Sequence, residues 1–165
     1  MANPTSTFRV GHGYDIHRLQ VGGKLVLAGV TVAKDLSPIA HSDGDVVIHA
    51  AVDAMLGAMG WGDIGEHFPD SDPRWKDAAS AFFLTSVHER VMAAGYRLGN
   101  LDITILAERP RIKPHKLDMV QSLATMLDAP TQRINIKAGT NEGCGDIGAG
   151  EAIAAHAVVL LMGGF

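Results

Sequence analysis

Asp15 and His17 are the first side chains in the sequence whose types and spacing suggest chemistry. One residue separates them, and alternate residues of a strand point to the same face, so a strand through this segment would place both side chains together. A carboxylate and an imidazole side by side suit zinc or a similar divalent cation. The alternative is a surface hydrogen bond between the two side chains, because short motifs of this kind also arise without a metal.

A second polar cluster leads into a predicted helix. Residues 41–45 read HSDGD, and His49 follows Asp45 by one helical turn. With Asp53, these two residues form a polar ridge at positions i, i+4 and i+8 of the helix. A ridge carboxylate could hold one ring nitrogen of His49 while the other nitrogen binds a metal, which is the usual arrangement around a metal-bound imidazole. Alternatively, Asp45 is only an acidic residue of the first helical turn and His49 lies at the edge of the core.

Together, Asp15, His17 and His49 would supply three ligands and leave a fourth position open, which is the pattern of a catalytic zinc. Several other chemistries have no motif here: the sequence contains no G-x-x-x-x-G-K-[ST] loop, no G-x-S-x-G turn and no H-E-x-x-H helix. Cys144 lies between two glycines without an evident partner, so we interpret it as incidental to function. The residues therefore predict a metal site without a protein nucleophile.

Two loops have compositions that suit an anionic ligand. The segment Ala107–Pro114 holds three cations and two prolines in a chain whose net charge is −4, although a solvated positive turn is an equal alternative. In the segment Lys137–Gly143, small residues after a strand leave backbone N–H groups free to bind phosphate. Glu142 could hold magnesium against phosphate oxygens. Any glycine-rich turn would look similar, so this second signal is weak by itself.

The composition limits the class of protein. With 165 residues, 47% hydrophobic and 19% charged, the chain suits one folded domain and is not disordered. Its 14 basic and 18 acidic residues provide no basic field for nucleic acid, and a single cysteine excludes a disulfide framework. The most apolar stretch, 152–162, is shorter than the roughly 20 residues of a membrane helix. The segment 1–8 shows no secretory signal, so we expect a cytoplasmic protein.

Hydrophobic periodicity predicts the elements that must position these residues. Strands are predicted at Phe8–Tyr14, Lys24–Val30, Leu101–Ile105, Ile134–Lys137 and Ala152–Met162. Helices are predicted at Asp45–Met59, at Ser80–Ala94 and after Pro114, and the stretch Gly60–Pro73 is rich in turns. The expected inward-facing helix residues are Ile48, Val52, Met55, Leu56 and Met59, then Phe83, Leu84, Val87 and Val91, then Leu117, Val120, Leu123 and Leu127. Ser42 and Asp43 are capping candidates for the first helix, and the interleaving of strands with helices predicts an α/β or α+β fold.

Four sequence motifs resemble those of one enzyme family. They are GHGYDIH at 11–17, AHSDGDV at 40–46, GDIG at 62–65 and FPDSD at 68–72. In this order they resemble the 2-C-methyl-D-erythritol 2,4-cyclodiphosphate synthases of the non-mevalonate isoprenoid pathway. The likeness extends from about residue 8 to residue 162. It implies a single synthase domain over residues 1–165, with residues 1–7 expected to be flexible.

The resemblance implies a reaction and a set of roles. The family converts 4-diphosphocytidyl-2-C-methyl-D-erythritol 2-phosphate to the cyclic diphosphate and releases CMP. The positions that match its ligands for zinc, or for another divalent cation at that site, are Asp15, His17 and His49. Glu142 matches the residue that holds magnesium or manganese, and His41 and Thr140 match positions that stabilise the transition state.

Other positions match segments that contact the substrate in this family. Those around the methylerythritol phosphate are Asp63, Ile64, Gly65, Phe68, Pro69, Asp70, Ser71 and Asp72, and the same group of substrate contacts includes Asp15, His17, His41 and Ser42. Those of the cytidine loop and the diphosphate-binding turn are Ala107, Pro110, Arg111, Ile112, Lys113, Gly139, Thr140, Asn141 and Glu142.

The resemblance also implies an architecture and partners. The family forms homotrimers whose active sites lie between neighbouring subunits. Each subunit is an α/β sandwich, related to the ferredoxin-like plan, with helices on one face of a mixed sheet. The implied partners are a small cytidine diphosphate substrate and further copies of the chain, without nucleic acid or membrane.

The sequence departs from the family pattern in the run 143–151 and at Gly139, and two of these differences bear on function. Ala149 stands where many relatives have an arginine that holds an anion on the trimer axis, and alanine cannot hold an anion in that way. Gly139 stands where threonine is common, which removes one hydroxyl near the phosphates. Two other functions compete with this interpretation. One is a metal-dependent phosphohydrolase, and the other is a nucleotide- or isoprenoid-phosphate-binding protein with a structural metal.

Overall fold

The computed structural model describes residues 7–69, 71–75 and 78–164. Most of the segment 1–7, expected to be flexible, therefore lies outside the described residues, and Thr7 begins the first strand. The strands are β1 (Thr7–Val21), β2 (Leu25–Leu27), β3 (Val30–Ala33), β4 (Leu36–Pro38), β5 (Tyr96–Leu106), β6 (Ile134–Gly139) and β7 (Ala152–Gly163). The helices are α1 (Val46–Met59), α2 (Ile64–His67), α3 (Ser80–Ala93), α4 (Lys116–Met126) and α5 (Gly145–Gly148), with short 3-10 turns at Pro73–Trp75, Lys113–His115 and Thr131–Arg133.

Five strands form one mixed sheet in the order β4-β1-β7-β5-β6. Neighbouring strands are antiparallel except for β5 and β6, which are parallel because α4 crosses between them. Strands β2 and β3 form a separate hairpin. Helix α1 packs on β1 and β7, α3 on β5, and α4 on β6. The prediction of an α/β sandwich with helices on one face of a mixed sheet is confirmed.

On the opposite face of the sheet, the described residues place only the short helix α5, whose Ile147 packs on Ala152 and Ala154 of β7. Val10, Tyr14 and Ile16 alternate along β1 with residues that face α1, and they are exposed. Val158 of β7 is exposed on the same face. We call these four residues the open face. A sheet with one packed side normally carries polar residues on the other, so this exposed apolar set is unusual.

Two glycines let α1 lie directly on β1. A Cβ atom at Gly11 would be 1.8 Å from the carbonyl oxygen of Ala54, and a Cβ atom at Gly13 would be 2.0 Å from that of Ala50. Only glycine leaves room for a helix backbone at these distances. The next two residues on this face of β1 are the predicted ligands, so the close packing sets their distance from α1.

Asp45 caps α1 and also binds the hairpin. Its Oδ1 accepts the backbone N–H groups of Val47 and Ile48, both at 3.1 Å. The same carboxylate accepts the N–H groups of Ala28 and Gly29 at 2.9 and 2.8 Å, in the turn between β2 and β3. Burial raises the pKa of Asp45 to about 6, although these backbone hydrogen bonds act in the opposite direction.

Two predictions about helix residues are wrong. Ser42 and Asp43 were the predicted caps of α1, but the cap is Asp45, because the helix begins one residue after it. Leu117 is 83% exposed, whereas Met119 is fully buried. A 3-10 turn precedes α4 and sets the rotation of that helix about its axis, so the buried face passes through Met119.

Two predicted segments differ in their detail. The predicted strand Lys24–Val30 is divided by a turn, in which Ala28 has a left-handed φ of 51°. The turn-rich stretch Gly60–Pro73 contains the short helix α2. The other predicted strands and helices are present. No helix in the described parts of the chain is long and apolar enough to cross a membrane.

The remaining core predictions are confirmed. The predicted inward-facing residues that are buried are Ile48, Val52, Met55, Leu56, Phe83, Leu84, Val87, Val91, Leu123 and Leu127. Met59 and Val120 are partly buried against the same core. The helical spacing therefore identified correctly the sides of α1 and α3 that pack inward.

Replacing Gly13 by alanine should destabilise the fold. The added methyl group would overlap the carbonyl oxygen of Ala50 and push α1 away from β1. We expect the free energy of unfolding to fall by about 1–3 kcal/mol, the usual range for overpacking. Urea unfolding followed by circular dichroism measures this change.

Gly57→Ala is the matched control for that variant. Gly57 is exposed on α1, and a Cβ atom there would have its nearest contact, the carbonyl oxygen of His12, at 3.9 Å. Alanine favours a helix over glycine by about 1 kcal/mol, so this variant should be at least as stable as the wild type. Equal unfolding midpoints for Gly13→Ala and the wild type would contradict the close packing of α1 on β1.

Candidate active site

A cavity of about 580 Å³ lies where β1, α1, α2 and α3 meet. Its lining residues are Asp15, His17, Ile39, Ala40, His41, Ser42, His49, Ile64, Gly65, Phe68, Pro69, Trp75 and Phe83. The cavity therefore brings together the predicted metal ligands and much of the first group of predicted substrate contacts.

Asp15, His17 and His49 meet in this cavity. Oδ2 of Asp15 lies 2.9 Å from Nδ1 of His49 and 3.4 Å from Nε2 of His17. One ligand atom from each residue lies within 4.8 Å of the other two. The prediction that a strand places Asp15 and His17 on one face is confirmed, since β1 continues through both. One carboxylate oxygen and two imidazole nitrogens so close together fit zinc or a similar divalent cation.

These three side chains influence one another's protonation. Burial alone would raise the pKa of Asp15, but the hydrogen bond with His49 and the charges of His17 and His49 outweigh it, and the pKa lies below its usual value. Burial alone would lower the pKa of His49, but Asp15 holds that pKa above its usual value. Both pKa shifts favour a carboxylate on Asp15 and a proton on His49, so a cation that binds both groups would have to displace that proton.

The second ring nitrogen of His49 contacts two hydroxyl groups. Nε2 lies 2.9 Å from Oγ of Ser80 and 3.3 Å from Oγ of Ser42. Ser80 is not among the predicted site residues. It is 31 positions away from His49, and a serine at the start of a helix looks like an ordinary cap. Nothing in the local sequence indicates this contact, which arises from the packing of α3 beside α1.

The ridge prediction for α1 is wrong, since neither ridge carboxylate holds the histidine ring. Asp45 points to the helix N-terminus, and Oδ1 of Asp53 accepts the backbone N–H of Ile64 at 2.8 Å. Asp63 caps α2 by accepting the N–H of Glu66 at 3.0 Å. These two hydrogen bonds hold the start of α2 at the edge of the cavity.

Two nitrogen atoms of the lining residues are shut off from solvent and have no hydrogen-bond partner among the described residues. They are Nε2 of His41 and Nε1 of Trp75. Such groups are uncommon, because a buried polar atom without a partner is unfavourable. Both nitrogens are therefore suited to bind a ligand in the cavity. His41 is a predicted site residue, whereas Trp75 is not.

Aromatic rings form an apolar wall beside the polar groups. Phe68 stacks on Phe83 with ring centroids 4.5 Å apart, and Trp75 meets Phe68 edge-on at 5.3 Å. Phe83 was expected only as a core residue of α3, and it also lines the cavity. This wall excludes water from one side of the site, which strengthens the electrostatic interactions within it.

Some residues of the first predicted group do not line the cavity. Asp63, Ser71 and Asp72 are outside the set of lining residues. The carboxylate of Asp72 pairs with Arg74, with Oδ2 and Nη2 2.6 Å apart. Asp70, also predicted to contact substrate, lies outside the described residues.

The basic loop (Ala107–Pro114) and the glycine-rich turn (Lys137–Gly143) lie beside each other, and none of their described residues lines the cavity. The carbonyl oxygen of Gly139 accepts the N–H of Ala107 at 3.0 Å, because β5 and β6 end together. The predicted contacts in these loops, none of which is a lining residue in the described chain, are Ala107, Pro110, Arg111, Ile112, Lys113, Gly139, Thr140, Asn141 and Glu142. Ala154 of β7 pairs with Leu106 of β5 on one side and with Ile16 of β1 on the other. These two loops and the Asp15–His17 segment therefore lie at the same end of the sheet.

Thr140 orders the carboxylate of Glu142. Oγ1 of Thr140 donates to Oε1 of Glu142 at 3.1 Å and accepts the backbone N–H of Glu142 at 3.3 Å. Glu142 is exposed and has a left-handed φ of 50°. A single exposed carboxylate suits magnesium or manganese, since magnesium commonly takes its other ligands from water and substrate phosphates.

Comparisons with known sequences identify close relatives. The model of the YgbB family matches residues 8–162. A protein from Pelobacter propionicus named 2-C-methyl-D-erythritol 2,4-cyclodiphosphate synthase is 50% identical over 155 residues, which are 94% of this chain and 98% of that protein. The chloroplastic protein of the same name from Arabidopsis thaliana is 48% identical over 161 residues, covering 96% of this chain and 70% of the relative.

Solved structures share the fold over almost the full chain. The bifunctional IspDF from Campylobacter jejuni matches 97% of this chain with a TM-score of 0.94 and 40% identity, and the match spans 43% of that longer protein. A 2C-methyl-D-erythritol-2,4-cyclodiphosphate synthase in a CDP-bound form matches 93% of this chain and 99% of its own, with a TM-score of 0.86 and 40% identity. The family model and the relatives extend over almost the full chain, so the chain belongs to the YgbB family.

Proposed function

We propose that this chain converts 4-diphosphocytidyl-2-C-methyl-D-erythritol 2-phosphate to 2-C-methyl-D-erythritol 2,4-cyclodiphosphate and CMP, as a cytoplasmic lyase of the non-mevalonate isoprenoid pathway. The observation that carries this proposal is the three-ligand cluster of Asp15, His17 and His49 in a cavity. It occurs in a chain that is 50% identical to a relative named for this reaction.

The substrate supplies its own nucleophile. An oxygen of the 2-phosphate attacks the β-phosphorus, the new phosphorus–oxygen bond closes the ring, and the bond from the β-phosphorus to the bridging oxygen breaks as CMP leaves. Phosphate oxygens are anionic at neutral pH, so no protein base has to activate them. This agrees with a sequence that has no nucleophile motif. The residues bind, orient and neutralise charge.

Two groups of residues are proposed to hold cations. Asp15, His17 and His49 would hold zinc or another divalent cation, and Glu142 would hold magnesium or manganese. When bound, these cations supply positive charge beside the diphosphate oxygens. The short separations among the three ligand atoms support the first assignment.

His41 and Thr140 are proposed to stabilise the charge that develops on the diphosphate. His41 would donate a hydrogen bond toward the reacting phosphate oxygens. The Thr140 hydroxyl, which has one proton, would exchange its hydrogen bond with Glu142 for one with the phosphate. A typical oxyanion donor contributes about 2.7–4 kcal/mol to transition-state stabilisation. The buried Nε2 of His41, which has no partner among the described residues, supports its assignment.

The substrate is proposed to bind two groups of residues. The methylerythritol phosphate would contact Ser42, Asp63, Ile64, Gly65, Phe68, Pro69, Asp70, Ser71 and Asp72, several of which line the cavity. The cytidine diphosphate would contact Ala107, Pro110, Arg111, Ile112, Lys113, Gly139, Thr140, Asn141 and Glu142. The hydrogen bond between Gly139 and Ala107 supports the second group as one continuous surface.

A homotrimer would bring the two groups together. Within one chain, the basic loop and the glycine-rich turn do not line the described cavity. The apolar open face offers a surface on which copies of the chain can pack. We therefore propose that each active site combines the metal cluster of one subunit with the two loops of its neighbour.

The proposed reaction is tested by phosphorus NMR with the cytidyl substrate, zinc and magnesium in water enriched in oxygen-18. We expect CMP and the cyclic diphosphate to form without the isotope in either product, because the attacking oxygen comes from the substrate. Hydrolysis by a phosphohydrolase would place oxygen-18 in a product. A protein that binds the substrate but leaves it unchanged would support the binding-protein alternative.

His49→Ala should lose both bound zinc and turnover, because one of three ligands is removed. Elemental analysis of the purified protein measures the zinc, and the phosphorus NMR assay measures turnover. Cys144→Ser is the control, because Cys144 is exposed and we assign it no role. Full zinc occupancy in His49→Ala, or a large loss of rate in Cys144→Ser, would contradict these assignments.

Shared active sites can be tested by mixing two inactive variants. Asp15→Asn damages the metal cluster and Glu142→Gln damages the loop surface, so each homotrimer should be inactive. If a site combines these residues from two neighbours, random co-assembly restores about a quarter of the wild-type sites, because one site in each mixed trimer is intact. Co-expression with different tags followed by the NMR assay measures this recovery, and sites contained within one chain would give none.

A further inference from the structure

A chain of hydrogen bonds leads away from the metal cluster on the far side of His49. Nε2 of His49 lies 2.9 Å from Oγ of Ser80, and the Ser80 hydroxyl donates to Oδ1 of Asp43. Oδ2 of Asp43 accepts the backbone N–H of Ser80 at 3.0 Å. Ser80 is fully buried, so water does not compete for these contacts.

The chemistry of the donors fixes the direction of this chain. A serine hydroxyl has one proton, and Ser80 gives that proton to the Asp43 carboxylate. Its oxygen can then only accept, so Nε2 of His49 must carry a proton and donate it to Ser80. The other nitrogen, Nδ1, faces Asp15 at 2.9 Å and is the one left to bind a cation.

The position of the Ser80 hydroxyl is closely determined. Asp43 binds both the hydroxyl and the backbone N–H of Ser80, and its Oδ1 also accepts the N–H of Asp45 at 3.2 Å. These contacts join the start of α3 to the turn that precedes α1. The Ser42 hydroxyl is a weaker partner for His49, at 3.3 Å, and it also accepts the N–H of Gly44.

We propose that Asp43 and Ser80 are positioning residues that hold His49 in the Nε2-protonated form and orient its ring so that Nδ1 binds the divalent cation. This inference rests on the proposed metal cluster, and it concerns residues that contact neither the cation nor the substrate. The negative charge of Asp43, transmitted through the Ser80 hydroxyl, makes Nδ1 a better electron donor.

The first test is the zinc affinity of Ser80→Ala, measured by competition with a chromogenic chelator. This variant removes the hydroxyl and keeps the backbone N–H that binds Asp43. Loss of such an outer hydrogen bond usually weakens metal binding by about 10- to 100-fold, and we expect a loss in this range. Asp43→Asn should weaken binding similarly, because an amide has one acceptor oxygen and cannot replace both carboxylate oxygens that accept from Ser80.

Two further variants separate positioning from general damage. Ser42→Ala removes the weaker hydroxyl beside the same nitrogen and should leave zinc affinity near that of the wild type. Ser80→Thr restores a hydroxyl and should recover most of the affinity. The melting temperature without metal is measured for each variant. A merely structural role of Ser80 would lower this temperature and leave unchanged the visible spectrum of the cobalt-substituted protein, whereas positioning of His49 would alter that spectrum.

A measurement on the wild type keeps the proposal testable if a variant fails to fold. Nitrogen-15 NMR of the zinc-loaded protein should show the proton of His49 on Nε2, and a proton on Nδ1 would overturn the proposal. Unchanged zinc affinity in Ser80→Ala would also overturn it while leaving the proposed function intact. A wild-type protein that binds no zinc would instead refute the metal cluster itself.

Discussion

The site depends on the close contact between the backbones of α1 and β1. Gly11 and Gly13 leave no side chain between the strand and the helix, so the helix can approach the strand closely. The alternation of β1 then places Asp15 and His17 on the helix side, within reach of His49. The geometry of three chemically active side chains is therefore set by two residues that have no chemistry of their own.

Charge is the second constraint on the site. Asp15, Asp43 and Asp45 all act on His49 in the direction that favours its positive form. So much negative charge near one buried imidazole would repel an anionic diphosphate. A cation held by the cluster would change the sign of the local potential, so the carboxylates that hold it would favour an anionic ligand indirectly.

Local patterns predicted much of the fold and part of the site. The stripes of α1 and α3 and the alternation of β1 depend on neighbours a few residues apart, so they can be recognised in the sequence. The contact of Ser80 with His49 joins segments 31 residues apart through the packing of two helices, and no short-range pattern records it. The prediction that Leu117 faces the core was wrong for a related reason, since the turn before α4 decides which side of that helix faces inward.

Asp45 connects the small hairpin to the helix that bears His49. Its carboxylate accepts N–H groups from Ala28 and Gly29 as well as from the first turn of α1. Deletion of the hairpin would leave a buried carboxylate with half of its donors missing, at the base of the helix that bears His49. The β2–β3 hairpin therefore supports the fold around His49 although it supplies no reacting group. Natural variants of this chain should tolerate length changes in other surface turns more readily than in the β2–β3 turn.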